Sequence, residues 1–183
     1  MSAPDRILVA GIGNIFLGDD AFGVEVVREL MKSELPEGVD VVDFGIRGYD
    51  LAYAIMDGYA ATILVDITAR GNRPGTLYLI EPDQEELAKV EAEVPDGHGL
   101  GPVQVLRLVQ SLGGEIARLY LVGCEPAVLE TEDGQIGLSE PVKAAVPQAA
   151  GMIRTLVHRL ISGRQTAAGD SADFLGASEE RIR

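Results

Sequence analysis

The sequence predicts an α/β fold: a three-layer sandwich with a five-stranded, mostly parallel, twisted sheet between helices. Three observations carry that expectation. Short continuous apolar runs, the mark of strands buried on both faces, recur along the chain. Stretches with apolar residues at helical spacing alternate with them. The links between the two are short, which favours a parallel sheet with helices on both faces.

Each element has its own signal. Residues 6–11 (RILVAG) form the first apolar run. After a turn rich in Gly, Asn and Asp, Val24, Val27, Leu30 and Met31 fall at helical spacing, and Pro36 and Gly38 end that helix. Residues 39–44 (VDVVDF) read as a second strand, 49–56 as a short helix and 61–67 (ATILVDI) as a third, buried strand. Residues 70–75 are turn-rich, and 76–80 (TLYLI) read as a fourth strand suited to an edge. Val105, Leu108, Val109 and Leu112 mark another amphipathic helix, and residues 119–123 (LYLVG) a fifth strand. The last helix carries Ala145, Ala149, Met152, Ile153, Leu156 and Leu160 on its apolar face, with Pro147 predicting a kink or a late start. Beyond Ser162 the periodicity is lost. The expected organisation is one α/β domain over residues 1–162 and a disordered tail over 163–183.

Composition narrows the class. The chain has 183 residues, enough for one domain with a substantial core. Its 15 Lys and Arg against 29 Asp and Glu give a net charge of −14, which argues against nucleic acid or an anionic membrane surface as partner. Residues 81–96 hold seven acids and one Lys and read as a solvated surface segment. No apolar run reaches the roughly 18 residues that span a bilayer, and no signal peptide opens the chain. The single Cys124 excludes an internal disulfide. The expected setting is cytoplasmic.

Chemistry concentrates in three loops. The first, residues 11–20, begins Gly11-x-Gly13 after a strand, but Phe16 stands where a dinucleotide fingerprint needs Gly or Ala. It ends in Asp19 and Asp20, and adjacent carboxylates at a helix N-terminus repel a pyrophosphate. One of the pair fits an N-cap; the other is left to face the carboxyl edge of the sheet. Asp66 closes the third strand at that same edge, where open α/β sheets bind ligands. If the first and third strands are neighbours, Asp20 and Asp66 approach one another. His98 lies in a Gly-flanked loop (residues 95–101) ahead of a helix, whereas His158 sits among arginines on the last helix and reads as a surface residue. Two carboxylates and an imidazole form a donor set suited to Zn²⁺, Ni²⁺ or Mn²⁺. No G-x-S-x-G elbow, H-E-x-x-H helix or Walker lysine is present, and Cys124 reads as a small buried apolar residue.

Residues 7–24 (ILVAGIGNIFLGDDAFGV) resemble the N-terminal signature of the hydrogenase maturation endopeptidases, with the Gly-x-Gly-Asn and the acidic pair both in register. Three further blocks are similar: Val65-Asp66; His98-Gly99-Leu100; and residues 121–126 (LVGCEP) followed by 136–139 (IGLS). The likeness covers about residues 6–160.

What that resemblance implies is an aspartyl-type, metal-binding protease that trims the C-terminal extension from the large-subunit precursor of a [NiFe]-hydrogenase. Nickel already seated in the precursor serves as the recognition element, with divalent ions such as Zn or Cd as substitutes. By motif, the metal ligands are Asp20, Asp66 and His98, and the catalytic group stays open between Asp20, Asp66 and the metal itself. Asp20 stands where the family often has Glu, one methylene longer. Asp43, Gly45 and Ile46 fall in the loop taken to face the substrate, where this chain has Phe44-Gly45-Ile46-Arg47-Gly48 in place of a Gly-Gly-Thr sequence. A non-catalytic nickel-dependent chaperone of the same precursor is the alternative reading.

Overall fold

A computed structural model of the protein describes residues 6–82, 101–127 and 136–169, with side chains as far as residue 163. The strands are β1 (Ile7–Ile12), β2 (Val39–Gly45), β3 (Ala61–Ile67), β4 (Leu77–Ile80) and β5 (Leu119–Cys124). The helices are α1 (Phe22–Leu30), α2 (Gly48–Met56), α3 (Pro102–Ser111) and α4 (Glu140–Gly169), and a one-turn 3₁₀ helix, Gly18–Ala21, leads into α1.

The five strands form one sheet in the order β2-β1-β3-β5-β4. All neighbouring pairs are parallel except β4, which joins β5 antiparallel at the edge. The chain steps from β1 to β2 on one side, then crosses to β3 on the other, so the winding reverses between β1 and β3. That reversal leaves a crevice beyond the carboxyl ends of β1 and β3.

Strand alternation divides the core between the two faces. Ile7, Val9, Ile63, Val65 and Val122 pack with Phe22 and Val26 of α1 and with Ile153 and Leu156 of α4. Leu8, Ala10, Ile12 and Leu64 face the other way, onto Leu51 and Ile55 of α2 and Val105 and Val109 of α3. The expected three-layer sandwich is the observed one. Full burial of a side chain such as Phe22 or Leu64 contributes about 1.5–3 kcal/mol by transfer from water.

Three local readings change. In α3 the buried residues are Val105, Leu106 and Val109, while Leu112 is 46% exposed, because the helix ends at Ser111 and Leu112 is its C-cap. The last helix begins at Glu140, before Pro147, so the late start is not taken. Its backbone also runs to Gly169, past the Ser162 boundary drawn from apolar periodicity. The acidic stretch after residue 82 and the chain beyond residue 169 lie outside the described residues, and no described helix is long and apolar enough to cross a membrane.

Two glycines set how closely α1 approaches the strand ends. A Cβ on Gly23, in the first turn of α1, would lie 2.1 Å from the carbonyl oxygen of Val65 and 2.2 Å from that of Ile12. Gly13 has φ 138°, and its Cβ would fall 1.7 Å from the Asp20 carbonyl oxygen. Gly13, which belongs to the Gly11-x-Gly13 that imitates a dinucleotide motif, thus serves backbone packing at the ends of β1 and β3.

We expect Gly23→Ala to lower the free energy of unfolding by about 2–3 kcal/mol or to abolish cooperative unfolding. Gly151→Ala, inside α4 where an added Cβ meets nothing within 4 Å, is expected to raise it by about 0.5–1 kcal/mol. Urea denaturation of the two variants checks both, and equal midpoints contradict the packing argument.

Candidate active site

The crevice is lined first by the loop after β1. Asn14 opens that loop; its backbone N–H donates to a carboxylate oxygen of Asp20 at 2.7 Å, and its side-chain oxygen accepts from the Phe16 N–H at 3.0 Å. These two bonds fold the loop back on itself and hold Asp20, half-buried, at the head of α1. The N–H of Gly13 donates to the Gly45 carbonyl at 3.0 Å, fastening the loop to the end of β2.

Asp66 closes β3 beside it. The residue is 7% exposed, and one carboxyl oxygen accepts the backbone N–H of Ile67 at 2.8 Å. Burial raises this carboxyl well above its ordinary value, the negative charge of Asp20 raises it further, and the Ile67 bond lowers it only in part. Strands β1 and β3 adjoin, which is the condition on which Asp20 and Asp66 approach one another. Ionising Asp66 beside the Asp20 charge is costly, and a proton on Asp66 or a bound cation would relieve it.

His98, the third expected ligand, lies outside the described residues, three positions before Gly101, which caps α3. Chain direction fixes the end of the sheet at which α3 begins. Gly114, just after α3, sits against Met56 at the end of α2, and the chain then enters β5 at the amino edge. The start of α3 is therefore at the carboxyl edge, on the face where Leu64 and Asp66 share strand parity. Among the described residues, no three His, Cys, Asp or Glu side chains cluster as a metal site. His158 is exposed on α4.

The acidic pair divides its work differently from the N-cap reading. Neither Asp caps a helix, because the 3₁₀ turn places both inside helical turns rather than at the N-cap. Asp19 is fully buried and accepts from the Ala127 N–H at 2.7 Å, the Ser139 N–H at 2.7 Å and the Ser139 hydroxyl at 2.9 Å. It staples the two ends of the segment that joins β5 to α4.

Glu125, at the end of β5, is a further buried acid that sequence reasoning missed. Its carboxylate accepts from the Tyr78 hydroxyl at 2.5 Å and from the backbone N–H groups of Arg70 and Gly71 at 2.9–3.0 Å. These bonds, the Tyr78 hydroxyl foremost, hold it below the usual carboxylate range. An acid immediately after a buried strand was the available signal. Cys124 beside it is buried, and desolvation together with the Asp19 and Glu125 charges pushes its thiol up to about 12. It is a protonated packing residue, as its strand-end position suggested, and a poor nucleophile.

The loop taken to face substrate has three different environments. Asp43 is half-buried and pairs with Arg28 at 3.5 Å. Gly45 follows a bulge: Gly11 pairs with Asp43 and Ile12 with Gly45, so Phe44 is the extra residue and turns into the α2–α3 core. Ile46 is 60% exposed.

Fold and site together define a doubly wound α/β protein with paired acids at its switch point. Residues 24–156 match the hydrogenase maturation protease family, and the chain belongs to that family. It is 34% identical over 145 residues to the hydrogenase 2 maturation protease of Escherichia coli, a match covering 79% of this chain and 85% of that protein. The hydrogenase expression/formation protein HupD of Rhizobium leguminosarum is 36% identical over 146 residues, covering 79% and 70%. Among solved structures, the hydrogenase maturating endopeptidase HybD from Escherichia coli superposes with a TM-score of 0.68 at 30% identity, covering 84% of this chain and 93% of that one. The protein is accordingly a hydrolase that acts in hydrogenase maturation.

Two outcomes follow from the carboxyl groups. Asp66 has a folded-state pKa raised above its unfolded value, so its ionisation costs stability as pH rises from near 3.8. Without divalent cations, Asp66→Asn is expected to melt higher than wild type at pH 7, the gap closing near pH 3.5. A lower melting temperature for the variant at pH 7 contradicts this. Asp19→Ala unpairs the Ala127 and Ser139 N–H groups and is expected to lose about 2–3 kcal/mol, with faster hydrogen exchange at both amides.

Proposed function

We propose that the protein removes the C-terminal extension of a [NiFe]-hydrogenase large-subunit precursor after nickel insertion, with the precursor's nickel as the recognition element. The observation that carries this reading is the Asp66 carboxyl, buried and raised by the charge of Asp20 at the sheet's switch point. A protein gains nothing in stability from such a pair. A divalent cation offered by a substrate would relieve it.

The donor chemistry fits that cargo: two carboxylate oxygens, and an imidazole from His98 on the loop that leads to α3. Seated nickel would supply Lewis acidity at the scissile carbonyl. The chain's own part is to hold and to move protons. Asn14 and the Ile67 N–H orient Asp20 and Asp66. On cation capture the Asp66 carboxyl releases the proton that burial favours, so affinity for the loaded precursor rises with pH. A carboxylate oxygen of Asp20 or Asp66 left outside the metal's coordination would serve as general base for an attacking water. Asp43, Gly45 and Ile46, at the end of β2, would meet the precursor beside the metal motif.

Asp66→Asn and His98→Ala are each expected to abolish processing while remaining folded. Mass spectrometry of nickel-loaded precursor after incubation reads this directly. Wild type should yield a product lighter by the extension, and the variants the intact precursor. A full-rate product from either variant contradicts the ligand set, and an intact precursor with wild type favours the chaperone reading.

A further inference from the structure

Between α1 and the start of α4 runs a groove that the site above does not use. Its head, about 390 Å³, is walled by Ile15, Phe16, Ile136 and Leu138. It continues past Glu25, Arg28 and Lys143 into a second depression of about 310 Å³. Phe16 is 62% exposed and Ile136 84% exposed, a degree of apolar exposure that calls for an occupant.

We infer that this groove binds the precursor's C-terminal extension, with a bulky apolar side chain of the extension in the head and an anionic group on Lys143. The inference rests on the protease reading above and names the surface that receives the departing peptide.

Three features select an extended peptide. The two depressions share Glu25, Arg28, Leu138 and Lys143, so together they make a trench rather than a cup. The trench begins on the loop that carries Asp20: Phe16, in its wall, and Asp20 belong to one turn folded by Asn14. Its charges are also unequal. Arg28 is paired with Glu25 at 2.8 Å and Lys32 with Glu29 at 2.6 Å, but Lys143 makes no ion pair among the described residues. In a chain of net charge −14, an uncommitted cation beside an apolar pocket favours an incoming carboxylate, from a side chain or the chain terminus.

The walls are also held in place. Ile136 and Leu138 lead into Ser139, which Asp19 grips through its N–H and its hydroxyl. Asp19 therefore sets the distance between the two sides of the groove, and Arg28, through its contact with Asp43, ties the groove to the end of β2.

The test uses the full chain, nickel-loaded large-subunit precursor from the source organism, and a fluorescein-labelled synthetic peptide of that precursor's extension. Phe16→Ser and Lys143→Glu are expected to raise KM for the precursor at least tenfold with kcat within twofold. Peptide binding by anisotropy should weaken to the same degree, and replacing the peptide's acidic group by Lys should restore binding to Lys143→Glu. Unchanged KM and peptide affinity in both variants, with wild type cleaving normally, overturn the inference and leave the protease reading intact. A wild-type dimer that these variants lose at unchanged KM assigns the groove to a second copy and also overturns it. Absence of cleavage by wild type overturns the protease reading and the inference together.

Discussion

Burial of the Asp66 carboxyl within reach of the Asp20 charge is the constraint around which this molecule is arranged. Ionising a carboxylate in a desolvated pocket is costly, and a second negative charge adds to the cost. Folding alone would remove such a pair. The rest of the fold keeps it in place. The strand order makes β1 and β3 neighbours, Gly23 lets α1 sit directly over their ends, and Gly13 lets the loop carrying Asp20 turn beneath it. The apolar cores on both faces supply the stability that this arrangement consumes.

Asp19 and Glu125 are equally buried acids with the opposite physical character. Asp19 accepts three hydrogen bonds from Ala127 and Ser139, and Glu125 is met by the Tyr78 hydroxyl and the amides of the loop after β3. Donors compensate for burial there, so these two carboxylates act as structural staples. Among the described residues Asp66 has one hydrogen-bond donor, the Ile67 N–H. Residue type and depth alone do not distinguish a staple from a site; the supply of donors does.

Much of this was legible in the chain. The run 61–67 is β3 as read, because a strand buried on both faces leaves an uninterrupted apolar signature, and its closing Asp therefore stood out. The approach of Asp20 to Asp66 was legible only on the condition that β1 and β3 are neighbours, which the strand order supplies. The work of Asp19 was not legible. Its partners, Ala127 and Ser139, are over a hundred residues away, and no local pattern encodes a donor that tertiary folding delivers. Glu125 carried a local signal, an acid directly after a buried strand, but its partners Tyr78 and the amides of the loop after β3 are likewise remote in sequence. The bulge at Phe44 was missed because period-2 alternation has no mark for one extra residue. Leu112 was counted as core by periodicity because spacing does not say where a helix ends. His98 rests on its sequence position alone.

Anomalous diffraction at the nickel edge, from a crystal of the full chain soaked in nickel, tests most directly whether the acids at the switch point form a cation site. The account requires one dominant peak within coordination distance of the Asp20 and Asp66 carboxylates, with the His98 imidazole as a third ligand. A dominant peak elsewhere, at His158 or on the acidic surface, with none between Asp20 and Asp66, would contradict it.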